Sequence, residues 1–178
     1  LPPQNLEAEQ SVLGSMLLTK DAVDQASGIL TGNDFYRDGH RYIYEAMLSL
    51  YDKGEPIDLV TLAEELTQKN LLEKAGGASY LTVLANVVPT AANVEYYAKI
   101  VAEKSLLRKL IRACTTVVQK SYEASEEVVA ILDEAERLIM EVSGEHRQEG
   151  FSHVKPLLLD VIDQLDKLAK HKGEVTGV

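Results

Sequence analysis

Apolar residues in this chain recur three and four positions apart along nearly its whole length and nowhere alternate, which restricts it to packed helices. Leu59, Leu62, Ala63 and Leu66 show the i, i+3, i+4, i+7 pattern of one buried helix face. Ile43, Met47 and Leu50 form a second such stripe. Val128, Ile131, Leu132, Ala135, Leu138, Ile139 and Val142 form a third. With 46% hydrophobic residues there is enough apolar material for a core, and no strand is expected anywhere. The expected fold class is all-α.

Local signals place the elements. Asn5 is a plausible N-cap for a first helix to about Thr19, with Glu7 and Glu9 in the dipole-favoured first turn. Leu6, Leu13 and Leu17 lie near one of its faces, with Val12 and Met16 beside them. A short helix over Asp21 to Ile29 and a turn over Thr31 to Asp34 follow. The next helix runs from Tyr36 to a stop at Gly54, and Asp58 caps the one after it. Gly76 and Gly77 break the chain before a short helix from about Ala78 to Asn86. These elements make a helical globular subdomain over residues 1–92.

The second half reads differently. Asn93 caps a long helix to about Tyr122, on which Leu107, Leu110, Cys114, Val117 and Ser121 step by three and four. Ser125 caps its partner, which runs to about Val142. The short connection makes residues 93–143 an antiparallel hairpin. The first hairpin helix is rich in Lys and Arg, the second in Asp and Glu. This asymmetry reads equally as a device fixing the pairing and as two ordinary solvated faces. Residues 144–150, bounded by Gly144 and Gly150, read as a flexible hinge. A linker helix over 151–172 follows, capped by Ser152 and ended by Gly173. Its stripe of Val154, Leu158, Val161, Leu165 and Leu168 is too narrow to be stable alone, and an external partner surface is favoured over packing back on the same chain.

Composition limits the chemistry. A net charge of −10 makes a poor general binder of phosphate backbone, so little direct nucleic-acid contact is expected. The single cysteine, Cys114, excludes an internal disulfide, suits a reducing cytosol, and reads as a small apolar residue on a helix face. No apolar run is long enough to span a membrane, and the opening segment lacks the pattern of a signal peptide. Both ends read as those of a piece of a longer protein. There is no phosphate-cradling glycine loop and no spacing of metal ligands. His146, His153 and His171 read as solvated, and His40 as a capping or surface residue without an orienting partner. The residues therefore argue for binding, with no catalytic, cofactor or metal site in this region.

Several segments, in this order and spacing, resemble the bacterial replicative DNA helicase family of the DnaB type. They are LPPQNLEAEQSVLGSML (1–17), DFYRDGHRYIYEAM (34–47), GEPIDLVTLAEEL (54–66), AGGASYL (75–81) and VPTAANVEYYAKIVAEKSLLRKLI (88–111). The tail GEVTGV, 173–178, resembles the segment that leads into the family's ATPase domain. The resemblance implies the collar and partner-docking region of a hexameric helicase in the bacterial cytoplasm. Its partners would be its own copies, primase, a helicase loader and the ATPase domain of the neighbouring subunit; ATP and Mg would belong to the ATPase domain. It also implies primase contact at Tyr80, Ile111 and Val117, although Tyr80 reads equally as core and the other two as seam packing. Self-pairing is expected through Leu107, Leu110, Cys114, Leu132, Ala135, Leu138, Ile139 and Val142, and neighbour docking through the linker stripe. The rival reading is a freestanding helical regulator or loader-type adaptor with the same fold.

Overall fold

In the computed structural model of the chain, the backbone is described for residues 1–175 and the side chains for 1–144 and 159–171. Among the described residues there are seven α-helices, one 3-10 turn and no strand, as the spacing predicts. The helices are α1 (Leu6–Leu18), α2 (Lys20–Ser27), α3 (Asp38–Asp52), α4 (Leu59–Gln68), α5 (Gly77–Ala85), α6 (Val94–Glu123) and α7 (Val128–Val175), with the 3-10 turn at Gly32–Asp34.

Capping explains most of the boundaries. The Asn5 side chain accepts the N–H of Ala8 at 2.9 Å. Thr19 does the same for Ala22 at 3.1 Å, so α2 starts one residue earlier than expected. Asp58 accepts the N–H of Thr61 while the Thr61 hydroxyl oxygen accepts the N–H of Asp58, a reciprocal cap for α4. Asn93 precedes α6 without a side-chain cap. The stop of α6 is Ala124, in the left-handed region at φ +47°, with its N–H returned to the Lys120 carbonyl. The next helix begins at Val128, so Ser125, the expected cap, belongs to the turn.

The core lies between α1 and its neighbours. Val12, Leu13 and Met16 of α1 meet Ile43, Tyr44, Met47 and Leu50 of α3, Leu62 and Leu66 of α4, Leu81 and Leu84 of α5, and Val94, Ala98 and Val101 of α6. Leu6, expected on that face, is exposed, and Leu17 is half-buried. Tyr44 donates its hydroxyl to the Leu30 carbonyl at 2.8 Å, and burial pushes that phenol far above its usual range. Gly14 lets α5 approach α1 closely, because a Cβ there would lie 2.7 Å from the Leu84 carbonyl oxygen.

The N-terminal half of α6 forms a wall of this core, and its C-terminal half leaves the globule to pair with α7. Segment 144–150, expected as a hinge, is helical backbone inside α7, and Ser152 lies within that helix instead of capping a new one. Two glycines, each costing ~1 kcal/mol relative to Ala, are outnumbered there by helix-compatible Glu, Arg and Gln. The helix continues two residues past Gly173 to Val175.

Candidate partner-docking surface

The site is built around the loop between the 3-10 turn and α3. Tyr36 and Arg37 leave backbone amides at the start of α3 that no side chain of their own segment caps. Glu9 of α1 supplies the acceptors. Its Oε2 accepts the Tyr36 N–H at 2.9 Å and its Oε1 the Arg37 N–H at 3.4 Å. The carboxylate is only 1% exposed, and it places negative charge where the α3 dipole favours it.

Glu9 Oε1 also faces His40 Nδ1 at 2.8 Å, and His40 Nε2 lies 2.6 Å from the Tyr80 hydroxyl. An ionised carboxylate accepts only, so Nδ1 carries the proton. In the neutral imidazole, Nε2 then accepts from Tyr80. The Tyr80 oxygen in turn accepts from Gln10 Nε2 at 3.1 Å and Arg37 Nη1 at 3.5 Å. The His40 and Tyr80 rings stack with centroids 5.8 Å apart, and the Arg37 guanidinium lies 5.3 Å from the centre of the Tyr80 ring. Gly76 makes room for this ring, since its φ is +109° and a Cβ there would sit 2.8 Å from it. With every polar atom engaged, the chain from Glu9 to Tyr80 acts to fix a half-buried ring at the surface.

His40 is therefore fully buried and paired, not the capping or surface residue expected. Sequence reasoning missed the pair because its members are 31 residues apart. A usable signal exists: His40, Ile43, Tyr44 and Met47 share one buried stripe, and Glu9, Val12, Leu13 and Met16 share another. A polar residue in a buried register needs a polar partner in the facing one.

The other side of the loop is tied to α6. Asp34, 4% exposed, accepts the Ser105 hydroxyl at 2.7 Å and the Thr31 N–H at 2.8 Å, and Lys109 Nζ lies 3.5 Å away. Arg108 donates to the carbonyls of Asp34 at 2.6 Å and Pro3 at 2.7 Å, and its guanidinium covers the Tyr36 ring. Burial pulls this guanidinium below its ordinary range, with Glu9 and Asp34 opposing. Beside these contacts opens a cleft of about 930 Å³, lined by Pro3, Phe35, Tyr36, Arg41, Ile111 and Arg112 among others.

The structure thus brings two of the three expected docking residues to one region. Tyr80 reaches this loop through Arg37, and Ile111 lines the cleft together with Tyr36. Val117 lies further along α6, half-buried where α7 is the packing neighbour.

Along the hairpin, Val117 and Lys120 of α6 and Ile131, Glu134, Ala135, Leu138 and Val142 of α7 are half-buried. Lys120 pairs with Glu134 and, at 3.5 Å, with Glu126; these contacts hold the lysine protonated and the Glu134 carboxyl ionised more firmly than usual. Water still reaches this pairing across the hairpin and screens it. The rest of the expected seam is uncovered. Leu107, Leu110 and Cys114 on α6, and Leu132 and Ile139 on α7, are exposed. Cys114 does sit on an apolar helix face, but one open to solvent. At 3.6 residues per turn, Leu107, Leu110, Ile111, Cys114 and Val118 occupy roughly a third of the circumference of α6. Val128, Leu132 and Ile139 occupy a narrower arc of α7. Each arc is about a quarter turn from the seam, and antiparallel packing brings both to one side of the hairpin.

Of the linker stripe, Val161, Leu165 and Leu168 are 50–64% exposed, as are Leu159 and Ile162 beside them. Val154 and Leu158, with His146 and His153, lie outside the described side chains. Among the described residues no group of three His, Cys, Asp or Glu could hold a metal ion. Among them, too, no helix is long and apolar enough to cross a membrane.

Known proteins share this architecture. The chain is 52% identical over 178 residues to the replicative DNA helicase DnaC of Bacillus subtilis and 49% identical to DnaB of Geobacillus stearothermophilus. It spans 39% of the length of each. The crystal structure of the N-terminal domain of DnaB helicase from Mycobacterium tuberculosis superposes with a TM-score of 0.76 at 52% identity, covering 80% of this chain and 99% of that one. A second structure, of a DnaB-like replicative helicase and its interactions with primase, gives a TM-score of 0.64 at 29% identity, covering 78% of this chain and 31% of that one. Residues 1–103 match the family described as DnaB-like helicase N terminal domain. With these residues, this helix order and this likeness together, the chain belongs to the DnaB-like helicase N-terminal domain family.

Proposed function

We propose that this chain is the collar and partner-docking region of a replicative DNA helicase, which pairs with its own copies, seats a neighbouring subunit through the end of α7, and receives primase near Tyr80 and Ile111. The observation that carries the reading is the two-helix apolar face of the hairpin, which a single copy leaves open to water. A contiguous face of this kind, on a domain whose core is already complete, is an interface awaiting its partner. A self-complementary patch suits a two-fold pairing of hairpins. Likeness to a helicase whose solved structure describes its interactions with primase supports the docking part.

In this reading ATP and Mg are handled by the remainder of the helicase, and this region contributes assembly and recruitment during replication in the bacterial cytoplasm. A helicase loader is a further expected partner. The exposed Val161, Leu165 and Leu168 suit docking against a neighbouring ATPase domain, as a helix laid in a groove.

Light scattering tests the pairing. Leu132→Asp with Ile139→Asp places two charges on the exposed face without touching the globular core. The expected result is a lower assembly state with unchanged helicity. An unchanged mass would refute pairing through this face.

A further inference from the structure

The cleft beside Ile111 is an anomaly in a chain of net charge −10. Its lining includes Arg41, Arg108, Lys109 and Arg112, with Asp38 as the carboxylate among them. Two of the four cations are committed to structure. Arg108 holds the carbonyls of Pro3 and Asp34, and Lys109 meets the Asp34 carboxylate. The other two make fewer polar contacts, although the Arg41 guanidinium also lies 5.3 Å from the centre of the Tyr42 ring. Arg41 lies 3.7 Å from Asp38, whose side chain is 77% exposed, and Arg112 engages its Nε with the Arg108 carbonyl at 3.4 Å. Both guanidinium groups line the cleft, and a guanidinium is a fork of donors that matches a carboxylate.

We propose that this cleft receives an acidic segment of the partner that docks on Ile111, with a carboxylate held between Arg41 and Arg112 and an adjoining apolar side chain packed on Ile111. The proposal rests on the reading of Ile111 as part of the primase-docking surface, and it names the recognition chemistry of that surface.

Charge and shape together select the occupant. A nucleic-acid strand draws its affinity from many phosphate contacts, and two available guanidinium groups on an acidic domain provide too few. Arg108 already occupies one face of the Tyr36 ring, which leaves less of it for stacking a base. The apolar part of the lining, Phe35 and the half-exposed Ile111, requires a partner with apolar side chains of its own. A protein segment carrying both kinds of group meets all of these conditions, and long-range repulsion from the rest of the chain is smaller for it than for a polyanion.

The test uses the full-length helicase that carries this region and the primase encoded in the same genome. Binding is measured by calorimetry at about 50 and about 300 mM NaCl, bracketing strong and weak screening. Wild-type binding is expected to weaken as salt rises. The double variant Arg41→Glu, Arg112→Glu is expected to lose affinity by about tenfold or more at low salt and most of its salt dependence. Arg41→Gln, Arg112→Gln should fall between the two, and it serves in place of the reversed variant if circular dichroism shows the latter misfolded. Equal primase affinity in all three proteins at both salts overturns the acidic-segment proposal and leaves the docking reading intact. No binding of primase to the wild type overturns both. A changed assembly mass in the charge-reversed variant identifies a second copy as the occupant, and loss of single-stranded DNA binding identifies nucleic acid; either result also overturns the proposal.

Discussion

His40 Nε2 lies 2.6 Å from the Tyr80 hydroxyl, joining the start of α3 to the middle of α5 across 40 residues of sequence. The Glu9 carboxylate behind the imidazole extends this contact to α1, so three helices meet at one buried hydrogen-bond chain.

Breaking that chain should cost stability. His40→Ala leaves the buried Glu9 carboxylate without its charge-assisted partner and Tyr80 without its acceptor. The expected loss is about 3 kcal/mol, typical of a buried polar pair deprived of one member. Urea denaturation followed by circular dichroism checks it; a loss below about 1 kcal/mol would assign the chain no structural weight.

Gly76→Ala should displace Tyr80. The backbone there has a φ of +109°, and the added Cβ would fall 2.8 Å from the ring. A cost of about 1–3 kcal/mol is expected from the backbone strain alone. The melting temperature should fall, and tyrosine fluorescence should report a more exposed ring.

Glu65 sets a pH dependence. The Ser49 hydroxyl and Lys53, with a smaller contribution from Lys69, pull its carboxyl from the ordinary 4.5 to about 2. A depressed folded-state value stabilises the fold fully above the unfolded value and loses that stabilisation as pH falls from about 4.5 toward about 2. Glu65→Gln should therefore flatten the stability profile between those two pH values. A slope identical to wild type would show that other carboxylates control the acid transition.

Cys114 reports on assembly. It is exposed in the single chain and sits among Leu110, Ile111 and Val118 on the uncovered face of α6. A thiol-reactive dye should label it quickly in the Leu132→Asp, Ile139→Asp variant and slowly in the assembled wild type. Equal labelling rates would place the assembly interface elsewhere.

Much of the fold is legible in the sequence because its signals are local. Asn5 and Asp58 cap helices by contacts spanning three residues, and the stripe of Leu62 and Leu66 shows its buried face directly. Boundaries governed by less specific chemistry are less legible. Ala124 adopts a left-handed conformation that its residue type does not advertise, and the helical course of 144–150 reflects propensity outweighing two glycines. The site was only partly accessible. Tyr80 and Ile111 came from family likeness, whereas Glu9, Arg37 and Arg41 gained meaning once the fold brought them beside those residues. The hairpin seam also differed from its spacing. A stripe stepping by three and four marks an apolar face, but not which neighbour covers it. On α6 that face is largely turned away from α7.

The continuity of α6 has a mechanical consequence. Its 30 residues form a rod roughly 45 Å long at 1.5 Å per residue. The rod is clamped in the globule by Val94, Ala98 and Val101, and it carries the exposed apolar face on its free end. With no break along this rod, the hairpin's orientation is locked to the globule's. A tilt of roughly 10° would sweep the free half of α6, roughly 22 Å long, through roughly 4 Å at its tip. Arg108, bonded to the carbonyls of Pro3 and Asp34, grips the rod near its fulcrum, where a small displacement gives the far end the greatest travel.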